Sequence, residues 1–312
     1  MSLNRRTFIR NAAGASFFIG SGLWSTDSFG SAVGYQLTVL HTNDVHSRID
    51  PFPMNDPKFP GMGGFARRAE VIRKIRSTEK NVLLLDAGDI FQGTPYFNLF
   101  NGEPEIRLMR EMGYDASAIG NHDFDGGMEN LAVRISEAGF PFLCANYDLS
   151  NSPLHRSTLP YKIFNKGGIK IGVFGLGIEP KGLIDTQVSN LIYYSDPVAV
   201  ATKFSRILRD EERCDLVICL SHLGYNYKEK KVSDTQIAQQ VSGIDLIIGG
   251  HTHTFLDEPV VLQNPIGKNV LVAQAGWAGI RLGRIDFFFD EKRRKSGTFT
   301  LSENISKKTI AR

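Results

Sequence analysis

From Tyr35 onward, short apolar runs alternate with segments of helical periodicity, and five of the runs lead into a polar motif. Strand-like runs cover Gln36–Leu40, Val82–Asp86, Ala116–Ile119, Ile169–Gly175, Leu216–Leu220, Leu246–Ile248 and Val270–Ala273, many bounded by glycine. Between them, Phe65, Ala69, Ile72 and Ile75 share one face of a helix over Gly64–Arg76. Asp196-Pro197 offers a helix N-cap with proline at the first helical position, ahead of the stripe Val198, Ala201, Phe204 and Leu208. Ser233 with Gln236 predicts a capping box before Ile237 and Val241. Apolar strands alternating with helices predict an α/β sheet protein with both sheet faces covered. Asp50–Met62, with four prolines, reads as a loop, as does Tyr147–Pro160. The basic, polar Glu291–Arg312 is expected to fray after a strand at Arg284–Phe289.

A chain of 312 residues suffices for one large domain or two small ones. The net charge is only +3, and Arg5, Arg6 and Arg10 at the N-terminus supply three of the positive charges. The body is therefore near neutral, which gives no support for nucleic-acid binding. The three cysteines, Cys144, Cys214 and Cys219, show no paired spacing. Cys144 and Cys219 sit in apolar runs and read as small buried hydrophobes.

The N-terminus reads Asn4-Arg5-Arg6-Thr7-Phe8-Ile9-Arg10, then a weakly apolar stretch from Ala12 to Trp24 that is too short for an ordinary membrane span. A charged segment before a short apolar one is a secretory pattern. The paired arginines followed by Phe8 resemble a twin-arginine export signal. Residues 1–33 are thus expected to be a signal peptide, with the mature protein periplasmic or exported and no stable membrane span.

The five motifs are His41-Thr42-Asn43-Asp44-Val45-His46, Asp86-Ala87-Gly88-Asp89-Ile90-Phe91-Gln92-Gly93, Gly120-Asn121-His122-Asp123-Phe124-Asp125, Ser221-His222-Leu223-Gly224 and Gly249-Gly250-His251-Thr252-His253. In open α/β sheets, ligands bind beyond the carboxyl ends of the strands. Polar motifs at that edge would converge although they span more than 200 residues of chain. Asp44 and His46 are two apart, so an extended backbone would turn both to one side, and His251 and His253 repeat the spacing. Imidazole, carboxylate and amide oxygen without thiolate suit borderline divalent metals. Any one motif occurs by chance; the ordered set, each member after an apolar strand, has no bland explanation.

The set resembles the calcineurin-like metallophosphoesterases, in the 5′-nucleotidase branch. The resemblance covers roughly residues 35 to 290. It implies a four-layer αββα sandwich of two mixed sheets flanked by helices, with residues 34–312 forming the catalytic domain. It also implies two divalent metal ions of the Mn, Zn, Fe or Co class. Asp44, His46 and His253 would hold one, Asn121, His222 and His251 the other, and Asp89 would bridge both. His122 would stand beside the metals as a catalytic residue, with Asp125 hydrogen-bonded to its ring. Some nucleotidases of this branch carry Gln where this chain has His253.

The implied function is two-metal hydrolysis of phosphate esters, as a 5′-nucleotidase-like phosphomonoesterase acting on nucleotides. The same metal core would also serve a phosphodiesterase acting on cyclic nucleotides or nucleic-acid ends. A third reading is an inactive metal-binding subunit of an envelope complex; the intact ligand set and His122 speak against it. Two-domain relatives of this branch bind the base with a C-terminal domain. Because the sequence stops at Arg312, one of two situations is expected: the chain is a broad, weakly selective phosphatase, or a separate 5′-nucleotidase C-terminal-domain protein is its partner and supplies the base-binding half. Of the other candidates, His41 and Asp123 are expected to support the fold, His155 to be solvated, and Trp277 to line the pocket mouth or pack.

Overall fold

The computed structural model describes residues 34–307, so the expected signal in residues 1–33 lies outside the described residues. Among the described residues the strands are β1 (Tyr35–Thr42), β2 (Val82–Asp86), β3 (Ala116–Ala118), β4 (Phe142–Leu143), β5 (Tyr147–Asp148), β6 (Tyr161–Lys166), β7 (Ile169–Leu176), β8 (Tyr193–Tyr194), β9 (Leu216–Ser221), β10 (Leu246–Gly249), β11 (Val260–Gln263), β12 (Asn269–Ala273), β13 (Arg281–Phe289) and β14 (Lys295–Asn304). The α-helices are α1 (Phe65–Thr78), α2 (Pro95–Phe100), α3 (Glu103–Met112), α4 (Met128–Ala138), α5 (Thr186–Ser189), α6 (Pro197–Arg206) and α7 (Asp234–Gln240).

Two six-stranded sheets run in the orders β14-β13-β1-β2-β3-β4 and β11-β12-β10-β9-β7-β6. The strands β1 to β4 are mutually parallel, as are β7, β9, β10 and β12, and antiparallel strands flank each parallel set. Side chains alternate across a strand, and here both faces are used. Leu37, Val39, Leu83 and Leu85 of the first sheet meet Ile171, Leu216, Ile218 and Ile248 of the second in one core. The intervening Leu40 and Leu84 face α1, α3 and α4 on the outer side. Val217, Cys219 and Ile247 likewise face α6 and α7. Helix, sheet, sheet, helix is the expected four-layer αββα sandwich, and burial on both faces explains why the parallel strands read as unbroken apolar runs.

Three local expectations need correction. Lys295–Asn304 does not fray; it pairs along β13 from Phe289↔Lys295 to Arg281↔Asn304. The strand buries little of its own surface, so periodicity hides it, and its lysine-bearing exposed edge suits an outermost strand. Ser233 caps nothing: its hydroxyl faces Thr235 Oγ1 at 3.1 Å. Asp196 does cap α6, accepting from Ala199 N–H at 2.7 Å. Tyr147–Pro160 contains the short strand β5 and buries Leu149 and Leu154, which anchor an otherwise polar connection. All three cysteines are free and buried. No helix among the described residues is long and apolar enough to cross a membrane.

Candidate metal centre

Parallel strands of both sheets release their motifs toward one another: β1 leads to Asp44 and His46, β2 to Asp89, β3 to Asn121 and His122, β9 to His222, and β10 to His251 and His253. The loops are tied across the sandwich. His222 Nδ1–H donates to the Ala87 carbonyl at 2.7 Å. The backbone N–H of His251 donates to the two Asp44 carboxylate oxygens at 2.9 and 3.1 Å.

Two groups of ligand-type atoms result, Asp44–His46–His253 and Asp89–His222–His251, with all atoms of each group within 4.8 Å of one another. His46 Nε2 lies 3.0 Å from His253 Nε2, which is 3.4 Å from Asp44 Oδ1. Asn121 Oδ1 stands 2.8 Å from His251 Nδ1 and so joins the second group. Asp89 reaches toward both: its Oδ2 is 3.1 Å from His222 Nε2 and 3.9 Å from His46 Nε2.

The backbone that brings them together is not the extended one expected from the Asp-x-His spacing. Asp44 (φ 49°), His46 (49°), Asp89 (57°), His251 (69°) and His253 (51°) are all left-handed. That region costs a side-chain-bearing residue on the order of 1 kcal/mol. Asp, Asn and His tolerate it better than most residues, so the ligand types also suit the tight turns. Gly250 is obligatory for a different reason. A Cβ there would stand 2.8 Å from His222 Nδ1 and 3.0 Å from the Ala87 carbonyl, in the middle of the bond that orients His222.

Buried polar residues hold these turns. Asp123, wholly buried, accepts backbone N–H groups of Gly120 (2.8 Å), Asp89 (3.1 Å), Ile90 (2.8 Å) and Phe91 (3.3 Å), and so clamps the second motif onto the third. Asn43 donates to Asp44 Oδ2 and to the Gly276 carbonyl, both at 2.6 Å, and accepts from Ala275 N–H at 2.8 Å. Gln274 was not legible in sequence as a site residue. It donates to the Gly250 carbonyl at 2.6 Å and accepts from Thr252 and Thr254, fixing the loop that carries both His251 and His253. The available signal was its position, directly after β12, where other strands deliver their motifs. His41 is buried beneath the site with Nδ1 unpartnered, and His155 is exposed.

Electrostatics mark the centre. Burial alone would raise the Asp89 carboxyl, but His222, His46 and His122 hold it well below the usual carboxylate range. Burial would lower His222, yet Asp89 and Asp44 push it up to about 10. Burial lowers His251 to about 4, with His222 adding to the effect. His122 is raised: burial opposes, but Asp89, Asp125 and Asp123 outweigh it. Its Nδ1 lies 2.8 Å from Asp125 Oδ2, and its backbone N–H donates to Asp89 Oδ1 at 2.8 Å.

The donors fit divalent ions. His222 Nδ1 donates its proton to Ala87, so Nε2 is the ring atom left to face an ion; it is buried and lies 3.1 Å from Asp89 Oδ2. A ring nitrogen freed by a backbone contact on the other nitrogen is the arrangement of a metal-ligating histidine. The carboxylates that favour a proton on His222 favour a doubly charged ion more.

Residues 37–255 match the family model described as calcineurin-like phosphoesterase. The chain is 34% identical over 309 residues to a snake venom 5′-nucleotidase of Gloydius brevicauda, an alignment that covers 91% of this chain and 51% of the relative. It is 33% identical over 295 residues to the Homo sapiens 5′-nucleotidase, covering 88% of this chain and 49% of the relative. The crystal structure of a 5′-nucleotidase precursor from Thermus thermophilus superposes with a TM-score of 0.81 at 32% identity, covering 88% of this chain and 55% of that one. The chain spans about half the length of the curated relatives it matches.

Proposed function

The chain belongs to the calcineurin-like phosphoesterase family, and from that premise we propose that residues 34–312 form a two-metal hydrolase that removes phosphate from nucleotides. The observation that supports this most is the convergence of seven nitrogen and oxygen ligand candidates from five loops, with Asp89 reaching both groups. In this proposal Asp44, His46 and His253 hold one ion, Asn121, His222 and His251 the other, and Asp89 both. The all-nitrogen-and-oxygen set favours Mn, Zn, Fe or Co. Such ions supply Lewis-acid charge and an activated water to an in-line displacement at phosphorus.

His122 then has the remaining task. Its Nδ1 is engaged by Asp125, so Nε2 is its free nitrogen, and the half-exposed ring lies 5.3 Å from that of His46 at the margin of the first group. Held toward its protonated form by the surrounding carboxylates, it offers positive charge to a phosphoryl oxygen and a proton to the departing alkoxide. The intact constellation does not favour the inactive-subunit reading, and the relatives do not favour the diesterase one.

Phosphate release by the purified chain, supplied in turn with Mn, Zn, Co and Mg, tests the proposal on AMP, ribose 5-phosphate and an aryl phosphodiester. Monoester hydrolysis is expected to dominate. Cleavage of the diester alone, or no release with any metal, would overturn it. The larger size of the relatives supports a 5′-nucleotidase C-terminal domain working with this unit, and a protein consisting of that domain supplies the test. Adding such a protein should lower KM for AMP and leave ribose 5-phosphate unchanged. We place the mature protein outside the cytoplasm through a twin-arginine signal. Replacing Arg5 and Arg6 with Lys should trap the unprocessed precursor inside, and normal export of that variant would contradict the assignment.

A further inference from the structure

The histidines of the centre are oriented in different ways. His46 and His222 each turn Nδ1 toward a backbone carbonyl, those of Phe91 at 3.3 Å and Ala87 at 2.7 Å. His251 is fixed by its backbone N–H on Asp44 and packs edge-on against His222 with ring centroids 5.4 Å apart. His253 packs edge-on against His46 with ring centroids 4.9 Å apart, but no backbone carbonyl holds its Nδ1. Its Nε2 faces His46 and Asp44, its Nδ1 has no hydrogen-bond partner among the described residues, and its side chain is 40% exposed. A metal-ligating histidine ordinarily needs a partner on its second nitrogen to fix the ring.

An indole takes that place. Trp277 lies parallel to the His253 ring, 6° between planes and 5.7 Å between centroids. The indole is itself wedged. Phe52 meets it at 5.8 Å and 74°, Phe59 at 6.4 Å and 75°, and Phe59 leans on Phe255 at 5.9 Å. These rings form a separate apolar cluster with Ala278 and Ile280. Phe52 and Phe59 belong to the proline-rich Asp50–Met62 loop, and Trp277 follows β12. Parallel, offset rings at this separation attract each other and resist rotation. The stack therefore does for His253 what a carbonyl does for His222.

We propose that Trp277 is a positioning residue for the metal-binding ring of His253, and that the Asp50–Met62 loop sets metal affinity at the Asp44–His46–His253 group by holding Trp277. This rests on the ligand assignment above. The loop would then be a support of the centre although it supplies no ligand.

The test is competition of the full-length protein for Zn²⁺ against a chromophoric chelator, which resolves the two binding steps. Trp277→Leu keeps apolar volume but removes the ring plane. It should weaken one step on the order of 10-fold, as expected for lost support of a ligand, and leave the other unchanged. Trp277→Phe should restore most of that affinity. His253→Ala is the control for the assignment beneath. If it leaves both steps intact, the ligand reading fails. If it removes one step while Trp277→Leu binds like wild type, only the stacking inference fails. Equal weakening of both steps together with a lowered Tm would make Trp277 a general packing residue and would also overturn the inference. Should Trp277→Leu not fold, indole emission decides. In a Trp24→Phe background Trp277 is the sole indole, since the chain has two tryptophans. Zn²⁺ should then change its emission, and His253→Ala should abolish the change; an unchanged response in that variant overturns the proposal.

Discussion

The two ligand groups stand side by side, and one histidine of each is held by different physics. His222 is fully buried, its Nδ1 anchored to Ala87, and Asp89 is buried beside it. His253, in the other group, is the most open of the histidine ligand candidates and leans on an aromatic wall. Hydrogen bonds in a low-dielectric interior fix geometry steeply, whereas ring stacking fixes a plane and leaves sliding freedom. On the two-metal proposal, the contrast predicts slower exchange of an ion at the group of His222 than at the group of His253.

Breaking the shared member has the largest expected effect. Asp89→Ala removes the carboxylate proposed to serve both groups and should weaken both binding steps, each by more than the roughly 100-fold typical of outer-shell partners. Elemental analysis showing two retained ions per chain would refute its bridging role. His122→Ala should spare both groups and strike the chemistry alone, with turnover falling roughly 10²–10⁴-fold at unchanged metal content. Wild-type turnover, or loss of metal, would remove His122 from the assigned role.

The smallest effect isolates what the carboxylates contribute. His41 is as buried as His222 but has no carboxylate among the causes of its shift, and burial lowers it from 6.5 to about 4. Below pH 6.5 the unfolded chain therefore binds a proton that the folded chain refuses. The associated stability is present above pH 6.5 and lost as pH falls toward 4, at up to about 1.4 kcal/mol per unit. Denaturant unfolding at pH 7, 6 and 5 should show a shallower loss in His41→Gln than in wild type. Parallel curves would show that His41 carries none of the acid sensitivity.

Much of this arrangement was legible in the sequence. The parallel strands were readable because burial on both faces makes them unbroken apolar runs, and each motif follows such a run. The seven ligand candidates follow from the resemblance to the family, and that resemblance rests on motifs of carboxylate, imidazole and amide residues at strand ends. What escaped notice was long-range or backbone-driven. The edge strand Lys295–Asn304 is held by pairing to β13 rather than by an apolar face. The left-handed turns at Asp44 and His46 do not show in a spacing of two residues. Gln274 acts through bonds to Gly250, Thr252 and Thr254, some 20 or more residues away in the chain. Trp277 was visible only as a tryptophan near glycines, with packing and pocket-lining roles both open.

In the proposed two-metal centre, both groups must be filled for hydrolysis. The most direct measurement is phosphate release from AMP as metal-stripped protein is titrated with Mn²⁺ while bound metal is counted. Activity should stay near zero through the first equivalent and rise with the second, and Asp89→Ala should show no rise. Full activity reached with a single equivalent would contradict the two-metal centre outright.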